Sequence, residues 1–288
     1  MKHCINCPRC CAARPNGYCG AGEEIIISRA GLHFWEEPCI SGTRGAGTVF
    51  FSGCNLRCVY CQNYEISSRF QGKAVSEERL REIYFELIAQ GAHNIDLVTP
   101  MHYSEQILRT LEEPLPVPVV CNTNGYESLE NLRRWDGKAQ IYLPDFKYSD
   151  NEIAAKYSSA PDYLGAASAG IMEMFRQTGP VTYDDDGLMT KGVMIRHLML
   201  PGMWRNTQGV IDFVASNFNP GEIVFCLMRQ YIPHGRAGEF PELNCRITDS
   251  EYERAVNYMI DSGIEDGFIQ DKESADSVYI PDFDGSGV

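Results

Sequence analysis

The sequence predicts an α/β fold in which parallel strands form a barrel, and three observations carry that prediction. Apolar runs at 48–51, 95–98, 117–121, 139–146, 193–200 and 223–227 are short and continuous rather than alternating, as strands buried on both faces are. Stretches with apolar residues at helical spacing separate consecutive runs, and regular strand–helix alternation builds a parallel sheet with helical crossovers. The chain has 288 residues, 44% of them apolar, enough for one barrel-sized domain with an ordinary core.

Taken in order, residues 1–45 read as a cysteine- and glycine-rich extension, 46–270 as the barrel and 271–288 as an acidic tail. The glycines within 41–47 precede a strand instead of linking a strand to a helix, so they read as a pliable entry and not as a dinucleotide loop. After the first run, Leu80, Ile83, Tyr84, Leu87 and Ile88 share one helical face. Ser76 caps that helix, Glu77 and Glu78 occupy its first turn, and Gly91 ends it. Further helices are expected near 104–111, 128–135, 163–175, 207–218 and 249–260, giving six parallel strands in all. The turn-rich tail is either mobile or held by Phe283 against the barrel.

No run approaches the roughly 18 apolar residues of a membrane span, and the first residues lack the apolar stretch of a signal peptide, so a cytoplasmic protein without a membrane partner is expected. A net charge of −14 argues against a duplex-binding surface, whose affinity comes from basic contacts to phosphates; no nucleic-acid partner is expected. Twelve cysteines in a chain without an export signal point to metal binding or reduced thiols rather than disulfides.

The most informative of these are Cys54, Cys58 and Cys61, spaced C-x3-C-x2-C directly after the first strand. Iron–sulfur clusters normally take four cysteines, so three close thiolates can hold three irons of a [4Fe–4S] cluster and leave the fourth open to something other than protein. The alternatives are a structural zinc site, which wants four ligands, a non-catalytic iron–sulfur carrier with a ligand from elsewhere, and free thiols.

This loop, with Tyr60 before the last cysteine, resembles the cluster loop of the radical S-adenosylmethionine (SAM) superfamily. Together with Cys-Ile-Asn-Cys-Pro-Arg-Cys at 4–10 and Arg-His-Leu-Met-Leu-Pro-Gly at 196–202, it resembles the branch related to pyruvate formate-lyase activating enzymes. The resemblance implies a partial (β/α)6 TIM-like barrel, SAM chelated to the open iron, and a 5′-deoxyadenosyl radical that takes hydrogen from substrate. It also implies a reducing electron donor such as flavodoxin or ferredoxin and, as partner, a glycyl-radical enzyme. Within the same chemistry, a small molecule, a peptide or RNA is the alternative substrate.

Reactive residues of such barrels collect at the carboxyl ends of strands. Tyr60 is expected against the adenine, or simply packed beside the cluster. The second strand ends in Thr99-Pro100-Met101-His102, where many family members carry Gly-Gly-Glu to hold the methionyl amino group, so Thr99 or nearby carbonyls must replace that acceptor. His102 either contacts cofactor or bonds within its loop. Asn122 and Asn124, in a segment resembling the family's Thr-Asn-Gly, orient ribose or backbone, or make a turn. Asp145 and Lys147, at i and i+2 on one strand face, match the Asp-x-Lys segment that holds an incoming peptide and the SAM carboxylate; a salt bridge is the plain alternative. Arg196 offers a planar fork to a carboxylate or ribose, and His234, at a further rim position, either faces SAM or substrate as a catalytic candidate or lies exposed at the surface.

In the extension, Cys4, Cys7, Cys19 and one of Cys10 or Cys11, with Cys10 taken as the ligand, read as a second four-thiolate site for zinc or an iron–sulfur cluster. Cys39, Cys121, Cys226 and Cys245 have no such pattern and are expected to be structural.

Overall fold

The computed structural model describes residues 3–12 and 17–288. Its strands, in chain order, are β1 (Ile25–His33), β2 (Ala46–Phe51), β3 (Lys73–Val75), β4 (Ile95–Val98), β5 (Val119–Thr123), β6 (Ile141–Pro144), β7 (Thr182–Tyr183), β8 (Met189–Leu198), β9 (Val224–Met228) and β10 (Gly267–Ile269). The helices are α1 (Pro38–Ser41), α2 (Tyr64–Ser67), α3 (Glu77–Ala89), α4 (Ser104–Thr110), α5 (Leu129–Arg134), α6 (Asn151–Ser158), α7 (Tyr163–Thr178), α8 (Trp204–Asn217) and α9 (Asp249–Asp261). The sheet runs β10-β9-β8-β6-β5-β4-β2-β1-β3, and β7 pairs with β8 as a hairpin.

Each of the six expected runs is a strand, and β2, β4, β5, β6, β8 and β9 pair in parallel. Period-two alternation divides their side chains. Cys121, Tyr142, Ile195 and Phe225 face the helices in the main core. Val120, Ile141, Leu143, Met194 and Cys226 fill the barrel interior, where Cys39 and Ile40 of α1 join them. Ser76 caps α3 by accepting the Arg79 N–H, and Thr248 caps α9 in a reciprocal box with Glu251.

Three features differ from expectation. Residues 25–33, assigned to the extension, form β1, which pairs antiparallel with β2 and carries β3 on its other side; Ser28 and Arg29 interrupt its apolar run and hide it. A seventh parallel strand among the described residues, β10, is only three residues long and partly exposed, and it pairs with β9. The crossover from β6 to β8 contains two helices, the first, α6, being short and weakly apolar.

The tail is held, not loose. Phe283 packs edge-on against Phe50 with ring centres 5.5 Å apart, and Tyr279 meets Trp35 at 4.9 Å. The Gly285 N–H donates to the Ser28 carbonyl, and the Ala30 N–H donates to the Ser286 carbonyl, both at 2.9 Å. Residues 270–288 therefore run from β10 at one edge of the sheet to β1 near the other, closing the open side of the partial barrel.

Candidate functional site

Where β2 ends, Gly53 turns the chain into the Cys54–Cys61 loop, and the three cysteines face one pocket of about 690 Å³. The pocket lies at the carboxyl ends of the parallel strands. Thr99 borders it after β4, Asn122 and Asn124 at the end of β5, Asp145 and Lys147 after β6, and Arg196 from β8. The strand-end rule thus brings together residues as much as 142 positions apart, Cys54 and Arg196.

Each sulfur receives a hydrogen bond. Cys54 Sγ accepts from the Leu56 N–H at 3.4 Å and from Asn124 Nδ2 at 3.3 Å. The Ser158 hydroxyl donates to Cys58 Sγ at 2.9 Å, and the Ser67 hydroxyl to Cys61 Sγ at 3.3 Å. Donors directed at sulfur stabilise thiolates and tune the potential of an iron–sulfur cluster, so this donor set fits a cluster. In the metal-free chain, burial pushes the Cys58 thiol up and Cys61 to about 12, and cluster assembly must release those protons.

Opposite the cysteines lies a chain of alternating charge. Arg196 donates from Nη1 to Glu36 at 2.8 Å, from Nε to Asp145 at 3.1 Å and from Nη2 to the Asn122 side-chain oxygen at 2.6 Å. Lys147 Nζ donates to the other Asp145 oxygen at 2.6 Å. A parallel bridge between Asp145 and Arg196 extends the short β6–β8 pairing and fixes this contact. Burial pushes the Asp145 carboxyl up, but Lys147 and Arg196 outweigh it and hold the group below the carboxylate range. For Lys147, burial pulls the amine down, yet Asp145 and the nearby Cys58 raise it to about 12. Beneath, burial raises both Asp96 and Glu37, and each keeps one oxygen without a partner among the described residues.

Glu36 was not legible as a site residue. It follows β1 in a segment with no motif, and its only signal is a charge complementary to Arg196. Asn124 has a structural task, because its oxygen accepts the Tyr126 N–H at 3.0 Å while its amide reaches Asn55 at 2.7 Å. Tyr60 is buried beside the loop with its hydroxyl 2.7 Å from that of Tyr148.

Both candidate histidines lie apart from the pocket. His102 bonds the Ser52 carbonyl at 2.8 Å and borders a separate cavity at the amino-terminal segment. His234 is half-buried beyond β9 and does not border the pocket. In the amino-terminal segment, Cys10 is exposed, whereas Cys11 joins Cys4, Cys7 and Cys19 around the small cavity. Cys10 takes a left-handed φ of 42° at the turn, which leaves Cys11 as the fourth thiol of the group.

A family model described as a 4Fe-4S single cluster domain matches residues 41–132, the segment that contains the cysteine loop. An uncharacterized protein of Methanocaldococcus jannaschii is 30% identical over 269 residues, covering 89% of this chain and 74% of that one. A 7-carboxy-7-deazaguanine synthase of Methanothermobacter thermautotrophicus is 32% identical over 112 residues, 38% of this chain and 42% of that one. In fold, the chain resembles Streptococcus suis SuiB bound to precursor peptide SuiA, with TM-score 0.51 and 10% identity over 77% of this chain. It spans 47% of the SuiB chain. Among the described residues no helix is long and apolar enough to cross a membrane. The cluster-domain match over the cysteine loop, the archaeal relative aligned over most of this chain and the partial barrel converge, and the chain belongs to the radical SAM superfamily of enzymes, which work with a [4Fe–4S] cluster and S-adenosylmethionine.

Proposed function

We propose that Cys54, Cys58 and Cys61 hold three irons of the cluster and that the adjoining pocket takes SAM and a substrate that loses a hydrogen atom. The observation that carries this reading is the common pocket of the three sulfurs, each met by a donor. When bound, the cluster supplies the electron that cleaves the SAM sulfonium to a 5′-deoxyadenosyl radical; reduction comes from a donor such as flavodoxin or ferredoxin.

The chain's own part is to bind and aim. Arg196 and Lys147 are donors for a carboxylate, while Glu36 and Asp145 accept from an ammonium. Together they form a wall of two cations and two carboxylates suited to the zwitterionic methionyl end of SAM. Glu36 provides the carboxylate that the end of β4 lacks, and Thr99 adds its backbone there. Asn122 orients Arg196 and the ribose, Asn124 steadies Cys54, and Tyr60 packs toward the adenine. His102 and His234 stand outside this wall.

For the substrate, the position of residues 270–281 along the pocket wall favours a small molecule or a short peptide segment over a folded partner. Activation of a glycyl-radical enzyme is the second reading. It is favoured by the Asp145–Lys147 pair at the mouth and requires the tail segment to move aside for a partner loop. The first test is anaerobic reconstitution, reduction with dithionite and assay of 5′-deoxyadenosine from SAM, against the chain with Cys54, Cys58 and Cys61 all changed to Ala. Product from the native chain alone is expected; no product from an iron-loaded, reduced chain overturns the reading. Electron paramagnetic resonance on candidate partners then separates a glycyl radical from turnover of a small molecule.

A further inference from the structure

The amino-terminal segment builds a second enclosed space, apart from the strand-end pocket. Its hairpin is closed by the Cys4 N–H donating to the Cys11 carbonyl at 2.9 Å and by a bridge between His3 and Ala12. The turn between them is closed by the Cys10 N–H donating to the Cys7 carbonyl at 3.2 Å. Gly17 brings the returning chain alongside: a methyl group placed there would stand 3.8 Å from the Cys19 sulfur and 4.0 Å from the Cys11 sulfur. Cys4, Cys7, Cys11 and Cys19 thus border one cavity of about 20 Å³, room for a single atom-sized guest as the thiols stand.

A buried polar group also borders this space. Glu127 borders the same cavity and is 2% exposed, and its Oε2 is buried without a hydrogen-bond partner among the described residues while Oε1 accepts from the Thr123 hydroxyl. A buried carboxylate oxygen left unpaired is costly. Nearby, the guanidinium groups of Arg9 and Arg57 lie 3.7 and 4.9 Å from the Tyr18 ring centre, and neither is ion-paired among the described residues. Four thiolates around a dication carry the negative charge that would balance them. The Tyr18 N–H lies 3.5 Å from Cys11 Sγ as a donor.

We propose that Cys4, Cys7, Cys11 and Cys19 bind one zinc ion. Four-thiolate tetrahedral sites are closed, structural zinc sites, and thiolates select a soft ion over magnesium or calcium. Among the described residues no three such side chains close on one point as they stand, so binding turns the thiols inward and displaces their protons. Asn55 of the cluster loop and Thr99 of the pocket border the same cavity, so the ion staples the amino-terminal segment to the back of the catalytic loop.

The test uses the full chain with Cys54, Cys58 and Cys61 changed to Ala, which separates this site from the catalytic cluster. Metal analysis should find one zinc per chain, and X-ray absorption should show four sulfur neighbours at about 2.3 Å. Cys10→Ser should leave the zinc in place, and Cys7→Ser with Cys11→Ser should remove it. Zinc unaffected by that double change, iron with visible charge-transfer absorption in its place, or no metal would each overturn the proposal. Should the double variant fail to fold, the absorption shell decides: sulfur alone upholds the site, and a shell dominated by nitrogen or oxygen refutes it.

Discussion

Changing Gly125 to Ala should disable the site from a position that has no side chain of its own. Gly125 follows Asn124 with φ +80°, and a Cβ there would stand 2.4 Å from the Asp145 carbonyl oxygen and 2.9 Å from the Tyr163 hydroxyl. The left-handed conformation costs an L-residue about 1–2 kcal/mol. Relieving the clash means moving backbone that Tyr163 pins, since its hydroxyl lies 2.7 Å from the Asp145 carbonyl and accepts the Lys147 N–H at 3.0 Å. Overpacking of that kind adds about 1–3 kcal/mol. Gly137 supplies the control, with φ +76° and no atom of the described residues within 4 Å of the added methyl, so Gly137→Ala carries the conformational cost alone. In urea unfolding of the metal-free chain, Gly125→Ala should cost about 2 kcal/mol more than Gly137→Ala. After reconstitution it alone should lose 5′-deoxyadenosine formation, because Asn124 and Asp145 shift with the turn. Equal costs, or undiminished product from Gly125→Ala, would refute the reasoning.

Other expectations follow from the same contacts. Asp145→Asn leaves Arg196 with Glu36 as its remaining carboxylate and takes from Lys147 the carboxylate it is paired with; breaking one member of so enclosed a network should cost about 3 kcal/mol in urea unfolding, and a cost near zero would mean the wall is solvated. Burial lowers the pKa of His197 from 6.5 to about 4, its ring held by the Phe146 carbonyl and Thr207. The unfolded chain therefore takes up that proton first as pH falls, and about 3 kcal/mol of stability should be lost between pH 6.5 and 4. His197→Gln should flatten that part of the stability profile, and an unchanged slope would count against the assignment. Removing residues 271–288 strips Tyr279 from the wall and Phe283 from Phe50, so alkylation of Cys61 in the metal-free chain should accelerate; an unchanged rate would mean that the tail does not guard the pocket.

The architecture was legible because continuous apolar runs and capped helical stretches are local signals. The six runs became the six central parallel strands, and Ser76 capped its helix as its sequence context required. Strands β1 and β10 escaped for opposite reasons. The first mixes Ser and Arg into its run because one side lies under the tail, and the second is too short to show a period. At the site, Cys54, Cys58 and Cys61 announce themselves by spacing, whereas the serines that meet two of their sulfurs lie on α2 and α6, elements with no motif of their own. The two histidines illustrate the converse, since residue type and strand-end position nominate them but the chain directs neither to the pocket.

By itself, the sequence determined which residues could hold a cluster and that the chain alternates strand and helix, because ligand spacing and hydrophobic periodicity lie within a few residues of each other. Only the tertiary structure decided that Glu36 completes the Arg196 wall, that Cys11 rather than Cys10 joins the amino-terminal thiols, and that the tail closes the open side of the barrel. Those outcomes depend on strand register and on contacts between residues up to 257 positions apart, as for Arg29 and Ser286. The energy of such contacts comes from burial and charge pairing after folding, and no local pattern encodes it.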